Sequence, residues 1–127
     1  MNKFFTRALY IKVTRNTFRV SSVSDSSAEQ VFTPEQPFTT QRLLVGQFSV
    51  AQACLAAAFR AMSGKGLIRI APVVVIHPQE MVEGGLSEVE ERLFRELALG
   101  AGARKAVLWT GQELRSDQVM DLIKTAK

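Results

Sequence analysis

His77 and Cys54 are the single histidine and the single cysteine of the chain. Two such donors fall short of a structural zinc site, and one cysteine closes no intrachain disulfide. His77 follows the apolar run Val73-Val74-Val75-Ile76, and the loop after a buried strand is a usual seat for catalytic groups in α/β proteins. An enzyme could pair it there with Glu80 or Glu83. The sequence specifies no nucleophile for such an imidazole to activate, so a structural histidine is the favoured reading. Cys54 lies beside an apolar helical stripe and reads as a small buried hydrophobe rather than a redox thiol.

The carboxylates Glu88, Glu90, Glu91 and Glu96 could serve acid–base chemistry. Glu88 with Arg92 and Glu91 with Arg95 fall at the four-residue spacing of ordinary helix-surface pairs, so a solvated face is expected. Gly64-Lys65-Gly66 and Gly100-Ala101-Gly102 could free backbone amides for a phosphate. Both follow a helix end, where the dipole repels anions, and neither matches a phosphate loop. They read as helix stops.

Charge is divided unevenly along the chain. Residues 1–76 carry nine Lys/Arg against Asp25, Glu29 and Glu35, a balance of +6, whereas residues 77–127 carry seven against nine acids, or −2. The basic half brings a nucleic acid or an anionic membrane into consideration. Lys12, Arg15 and Arg19 alternate with apolar residues, however, and there is no long basic run or aromatic stacking platform. Solvated strand faces are favoured, and nucleic acid is not.

These residues need elements to hold them. The chain has 127 residues, 46% hydrophobic and 22% charged, the composition of one globular domain spanning 1–127 with 1–8 as a tail. Leu9, Ile11 and Val13 alternate, as do Phe18 and Val20 beyond Arg15-Asn16, which predicts a β-hairpin. Residues 21–40 read as loop, with a short strand at Gln30–Thr33. Leu44, Phe48, Ala51, Leu55, Ala58, Phe59 and Met62 form the stripe of a long helix between Leu43 and Met62, stopped by Gly64 and Gly66. Val73–Ile76 reads as a strand covered on both faces.

Ser87 and Glu90 have capping-box spacing and start a second helix, with Val89, Leu93 and Leu97 inward and Phe94 at one flank. Lys105–Trp109 is a further strand. Ser116, Asp117 and Lys124 frame a last helix with Val119, Met120 and Ile123 on its apolar side. The fold class is therefore α/β: a single domain whose mixed sheet carries an N-terminal β-hairpin and three helices. No apolar run approaches the roughly 20 residues that cross a bilayer, and no secretory signal opens the chain, so a cytoplasmic protein is expected.

Several motifs carry a resemblance. Gln41-Arg42-Leu43-Leu44, Phe48-Ser49-Val50-Ala51, Leu86-Ser87-Glu88-Val89-Glu90-Glu91-Arg92 and Ala98-Leu99-Gly100-Ala101-Gly102-Ala103-Arg104 resemble subdomain IA of MreB, the actin-like rod shape-determining protein. The chain also resembles the small, stress-associated YjaA family at Tyr10-Ile11, at Gln41–Leu44 and at Glu83-Gly84-Gly85-Leu86-Ser87. The MreB resemblance implies an actin-like, ribonuclease-H-like core and tests for nucleotide chemistry. The acid of its D-x-G turn is matched by Lys12 in Ile11-Lys12-Val13-Thr14, with no glycine beside it. Its paired glutamates after the later strand are matched by Thr110 and Gly111, and its second phosphate loop would lie beyond Lys127.

The resemblance thus implies a non-catalytic interaction protein of cell-shape or stress physiology, with no cofactor and no metal. Its partner is another protein or a second copy. The partner surface expected is Trp109, Leu114 and Met120, where a full actin-like protein would continue. Lys3, Phe4, Phe5 and Arg7 resemble a short membrane-associating segment, which implies weak contact with a membrane surface, peripheral to the inner membrane.

Overall fold

The computed structural model describes residues 7–23, 28–62 and 71–126. The alternating segments form β1 (Ala8–Thr14) and β2 (Thr17–Ser22), followed by β3 (Gln30–Phe32), α1 (Phe48–Met62), β4 (Val73–Pro78), α2 (Glu88–Ala101), β5 (Lys105–Leu108) and α3 (Ser116–Thr125). The strands lie in the order β3-β2-β1-β4-β5. The tight turn at Arg15-Asn16 makes β1 and β2 antiparallel, and β3 is antiparallel to β2. Parallel pairing of β1 with β4 and of β4 with β5 needs long crossovers, which α1 and α2 supply.

Alternation along the strands separates two apolar layers. Leu9, Ile11, Val13, Phe18, Val20, Val74 and Ile76 face α1 and α2, meeting Leu55, Ala58, Phe59, Phe94, Leu97 and Ala98. Ala8, Tyr10, Val73 and Val75 face the other way, against Val119 and Ile123 of α3. All six positions of β4 are buried as a result, as expected for a parallel strand covered on both faces. None of the helices is long and apolar enough to cross a membrane, among the described residues.

Several boundaries differ from the sequence reading. α1 starts at Phe48 rather than near Leu43, because Thr40–Leu43 closes a turn in which Thr40 N–H donates to Leu43 O (2.9 Å). Leu44 and Val45 reach the core from that turn, and so does Phe38 from a stretch read as loop. The face of α2 is rotated. Phe94, Leu97, Ala98 and Ala101 are buried, whereas Val89 is 76% exposed. β4 runs on to Pro78, so His77 lies within the strand, and β5 stops one residue before Trp109.

The capping box at Ser87 forms as expected, and Gly102 ends α2 at φ 124°, a conformation that L side chains rarely adopt. Arg115, not Ser116, caps α3, its backbone N–H donating to Gln118 Oε1 at 2.8 Å. The pairs expected between Glu88 and Arg92 and between Glu91 and Arg95 are not closed. Ion pairs among the described residues form instead at Lys12, Arg19 and Arg115. Exposed charges gain little by pairing, so α2 leaves its own in water. Gly64 and Gly66 lie outside the described residues.

Candidate functional site

Because β1, β4 and β5 are parallel, their C-terminal ends lie along one edge of the sheet. The hairpin turn, the segment 79–87 and the loop 109–115 gather there, at the edge where open α/β sheets hold their ligands.

The register sets Lys12 beside His77, and both side chains project to the face that carries α3. His77 is 1% exposed, and its ring stacks on Tyr10 with centroids 5.9 Å apart. Nε2 lies 3.0 Å from Gly111 O, which can only accept, so the proton of the neutral ring sits on Nε2. Nδ1 therefore accepts, and the Tyr10 hydroxyl donates to it at 2.6 Å. The phenol oxygen in turn accepts Leu114 N–H at 3.1 Å. One chain of hydrogen bonds thus runs from Leu114 through Tyr10 and His77 to Gly111. Burial, above all, pushes the His77 pKa below its ordinary 6.5, and the ring stays neutral at pH 7.

Lys12 stands next to this chain. Its side chain is only 11% exposed, and its ammonium lies 5.9 Å from the centre of the Tyr10 ring while bridging Glu29 and Glu113. Burial disfavours the ammonium, but bonds to the two carboxylates outweigh that and hold its pKa above the ordinary value. Glu29 also lies 3.8 Å from Arg19. Two of the basic residues of β1 and β2 are thus engaged by acid within the chain.

The other face of the same edge is separate. Glu80 accepts the backbone N–H of Arg15, and a cavity of about 360 Å³ is lined by Arg15, Thr39, Gln79, Glu80 and Glu83 among others. The sequence set His77 with Glu80 or Glu83; the structure does not bring them together, because alternation along β4 sends the imidazole to the opposite face. Neither this cavity nor the one around the 109–115 loop is lined by His77. With both ring nitrogens engaged, the imidazole has no lone pair to offer a substrate, and catalysis by it would first require its bonds to break. No group of three or more His, Cys, Asp or Glu side chains could hold a metal among the described residues.

Trp109 and Leu114 border a cavity of about 500 Å³ formed by the 109–115 loop with Gln118. Trp109 Nε1–H donates to Gln112 O at 2.9 Å. Trp109, Leu114 and Met120 are each half-buried and pack on the α3 side of the sheet, so they form the rim of that core rather than a fully exposed patch. Lys3, Phe4 and Phe5 lie outside the described residues. Arg7 is half-buried at the start of β1, where its carbonyl accepts Val73 N–H at 2.7 Å. Cys54 lines a groove of about 570 Å³ with Val31, Phe32 and Val50, and burial raises its thiol pKa, which makes it a poor nucleophile.

Sequence reasoning singled out His77 and Lys12 but missed Tyr10 and Glu113 as their partners. Alternation alone places Tyr10 and Lys12 on one face of β1, and that was the available signal. Glu113 reaches the site from 101 residues away and gave none.

No family model matches the chain. It is 32% identical over 102 residues to the uncharacterized protein YjaA of Escherichia coli (strain K12), an alignment that takes in 76% of this chain and 78% of that one. The stretches that pointed to that family lie within β1 (Tyr10-Ile11), in the turn before α1 (Gln41–Leu44) and in the segment leading to the cap of α2 (Glu83–Ser87), and the chain belongs to the YjaA family.

Proposed function

We propose that this chain is a non-catalytic interaction domain on an actin-like, ribonuclease-H-like core, serving cell-shape or stress physiology through a protein partner. A hairpin that leads into parallel strands alternating with helices supports that core, with β1 inside the sheet and helices on both faces. The observation that carries the reading is the state of Lys12. Where the ATPase pattern places an acid to organise magnesium-bound water, this chain has a cation already held by Glu29 and Glu113. Such a group neither binds magnesium nor has charge left for a phosphate. At the second nucleotide-handling position Thr110 and Gly111 offer no carboxylate, and the Gly111 carbonyl already accepts from His77.

The partner surface in this reading is the 109–115 loop with α3, where Trp109, Leu114 and Met120 keep part of their apolar surface in water. Calorimetric titration with Mg-ATP tests the first half, with no saturable heat expected. A dissociation constant in the low micromolar range overturns it. Sedimentation over a wide concentration range, alone and with an MreB-like protein, tests the second half. Self-association or co-sedimentation that Trp109→Ala weakens is expected, and a monomer indifferent to that protein at every concentration removes it.

A further inference from the structure

We propose that His77 is a proton-operated latch: uptake of one proton at Nδ1 releases the 109–115 loop, with Trp109, from the sheet while the rest of the fold stays closed. This goes beyond the interaction reading and does not depend on it. Past the ladder-like bond from Trp109 N–H to Ile76 O (3.0 Å), three side chains tie the loop to the sheet. His77 Nε2–H holds Gly111 O, Tyr10 Oη holds Leu114 N–H, and Lys12 Nζ holds Glu113 at 3.1 Å. The three are adjacent, and the two uncharged bonds share one chain through Nδ1.

The proton comes from solvent and lands on the atom that now accepts the Tyr10 hydroxyl. The imidazolium carries N–H on both nitrogens and has no acceptor left. Tyr10 Oη already accepts from Leu114, and it can accept from Nδ1–H as well only by turning its own O–H away from its present acceptor. A buried donor without a partner and a buried cation are both costly, and admitting water relieves both. The loop is the part able to move, since α3 stays seated through Val119 and Ile123.

The groups facing His77 are few. β1 presents Tyr10 and Lys12, the loop presents Glu113, and α3 presents apolar side chains. Burial opposes the imidazolium most, and Lys12 adds to it; together they outweigh the bond to Gly111 O and the charge of Glu113, which favour it, and keep the pKa below 6.5. Since the unfolded or released ring titrates near 6.5 and the latched ring lower, the latch is fully set above that pH and is lost as pH falls through the latched value.

Trp109 is the only tryptophan, so its fluorescence reports the loop directly. The test lowers the pH from about 7.5 to about 4.5, through the usual range of histidine titration. Emission and acrylamide quenching of Trp109 are followed beside far-UV circular dichroism. The expected result is a red shift and increased quenching with the dichroism retained. Tyr10→Phe removes the hydroxyl that favours the neutral ring, so its transition moves up by roughly half to one pH unit. His77→Gln, where it folds, abolishes the transition. An unchanged Trp109 signal across the range, a transition that coincides with loss of dichroism, or a Tyr10→Phe midpoint at or below that of the parent overturns the latch.

Discussion

The hydroxyl of Thr39 is committed at both ends. It accepts Asn16 N–H at 2.9 Å and donates to Leu44 O at 2.7 Å, while Asn16 Oδ1 returns a bond from Thr39 N–H at 2.8 Å. Thr39 is 9% exposed, so neither partner has easy access to water if the hydroxyl is lost. Thr39→Val keeps the shape and removes both bonds, and it is expected to lower stability by about 1–3 kcal/mol in urea unfolding, with Thr39→Ser costing less. A Thr39→Val protein as stable as its parent would show that water already satisfies this corner. Asn16 was legible in the sequence as a turn residue, and its φ of 52° agrees. Thr39 was not, because a partner 23 residues away leaves no periodic trace. His77 was legible as a residue at the end of a buried strand, but the partners it has were not, because they come from β1 and from the loop before α3, 67 and 34 residues away.

At the level of elements, what the sequence revealed depended on how local the cause was. The capping box is complete within four residues, with Ser87 Oγ accepting Glu90 N–H at 3.2 Å and Ser87 N–H donating to Glu90 Oε1 at 3.0 Å. Ser87→Ala should therefore cost about 1 kcal/mol. The inward face of α2 was misjudged because alanines do part of its packing. Ala98 and Ala101 are buried at the helix contact, and a pattern that weighs large apolar residues passes over them in favour of Val89. Val89→Lys is accordingly expected to change stability by less than about 0.5 kcal/mol. Leu97→Ala should cost about 2–5 kcal/mol by opening a cavity. Thermal or urea unfolding of the three variants checks that order, and a large loss at Val89 would place that residue in a contact. The start of α1 was misplaced because Leu44 keeps the helical spacing while standing in a turn. Spacing alone does not distinguish the two settings.

Across the whole molecule, protection should follow position in the sheet. β4 is buried at every residue and β1 pairs on both sides, whereas β3 is short, lies at the margin and is exposed at two of its three positions. Native-state hydrogen exchange should find the slowest amides in β1 and β4 and the fastest strand amides in β3. Equal protection of β3 and β4 would mean that something covers the margin in solution. The placement of β1 also has a consequence for biosynthesis. Its antiparallel neighbour is only a turn away, Thr14 opposite Thr17, but its parallel neighbour begins at Val73, opposite Ala8. Translation proceeds at about 5–20 residues per second, so several seconds separate the emergence of the two strands from the ribosome. Through that interval the nascent hairpin has one bare side, and until α1 emerges Leu9, Ile11 and Val13 have no layer above them either. The strand destined for the middle of the finished sheet is then a natural landing place for a chaperone, and the arrival of Val73–Pro78 is the event that ends that need.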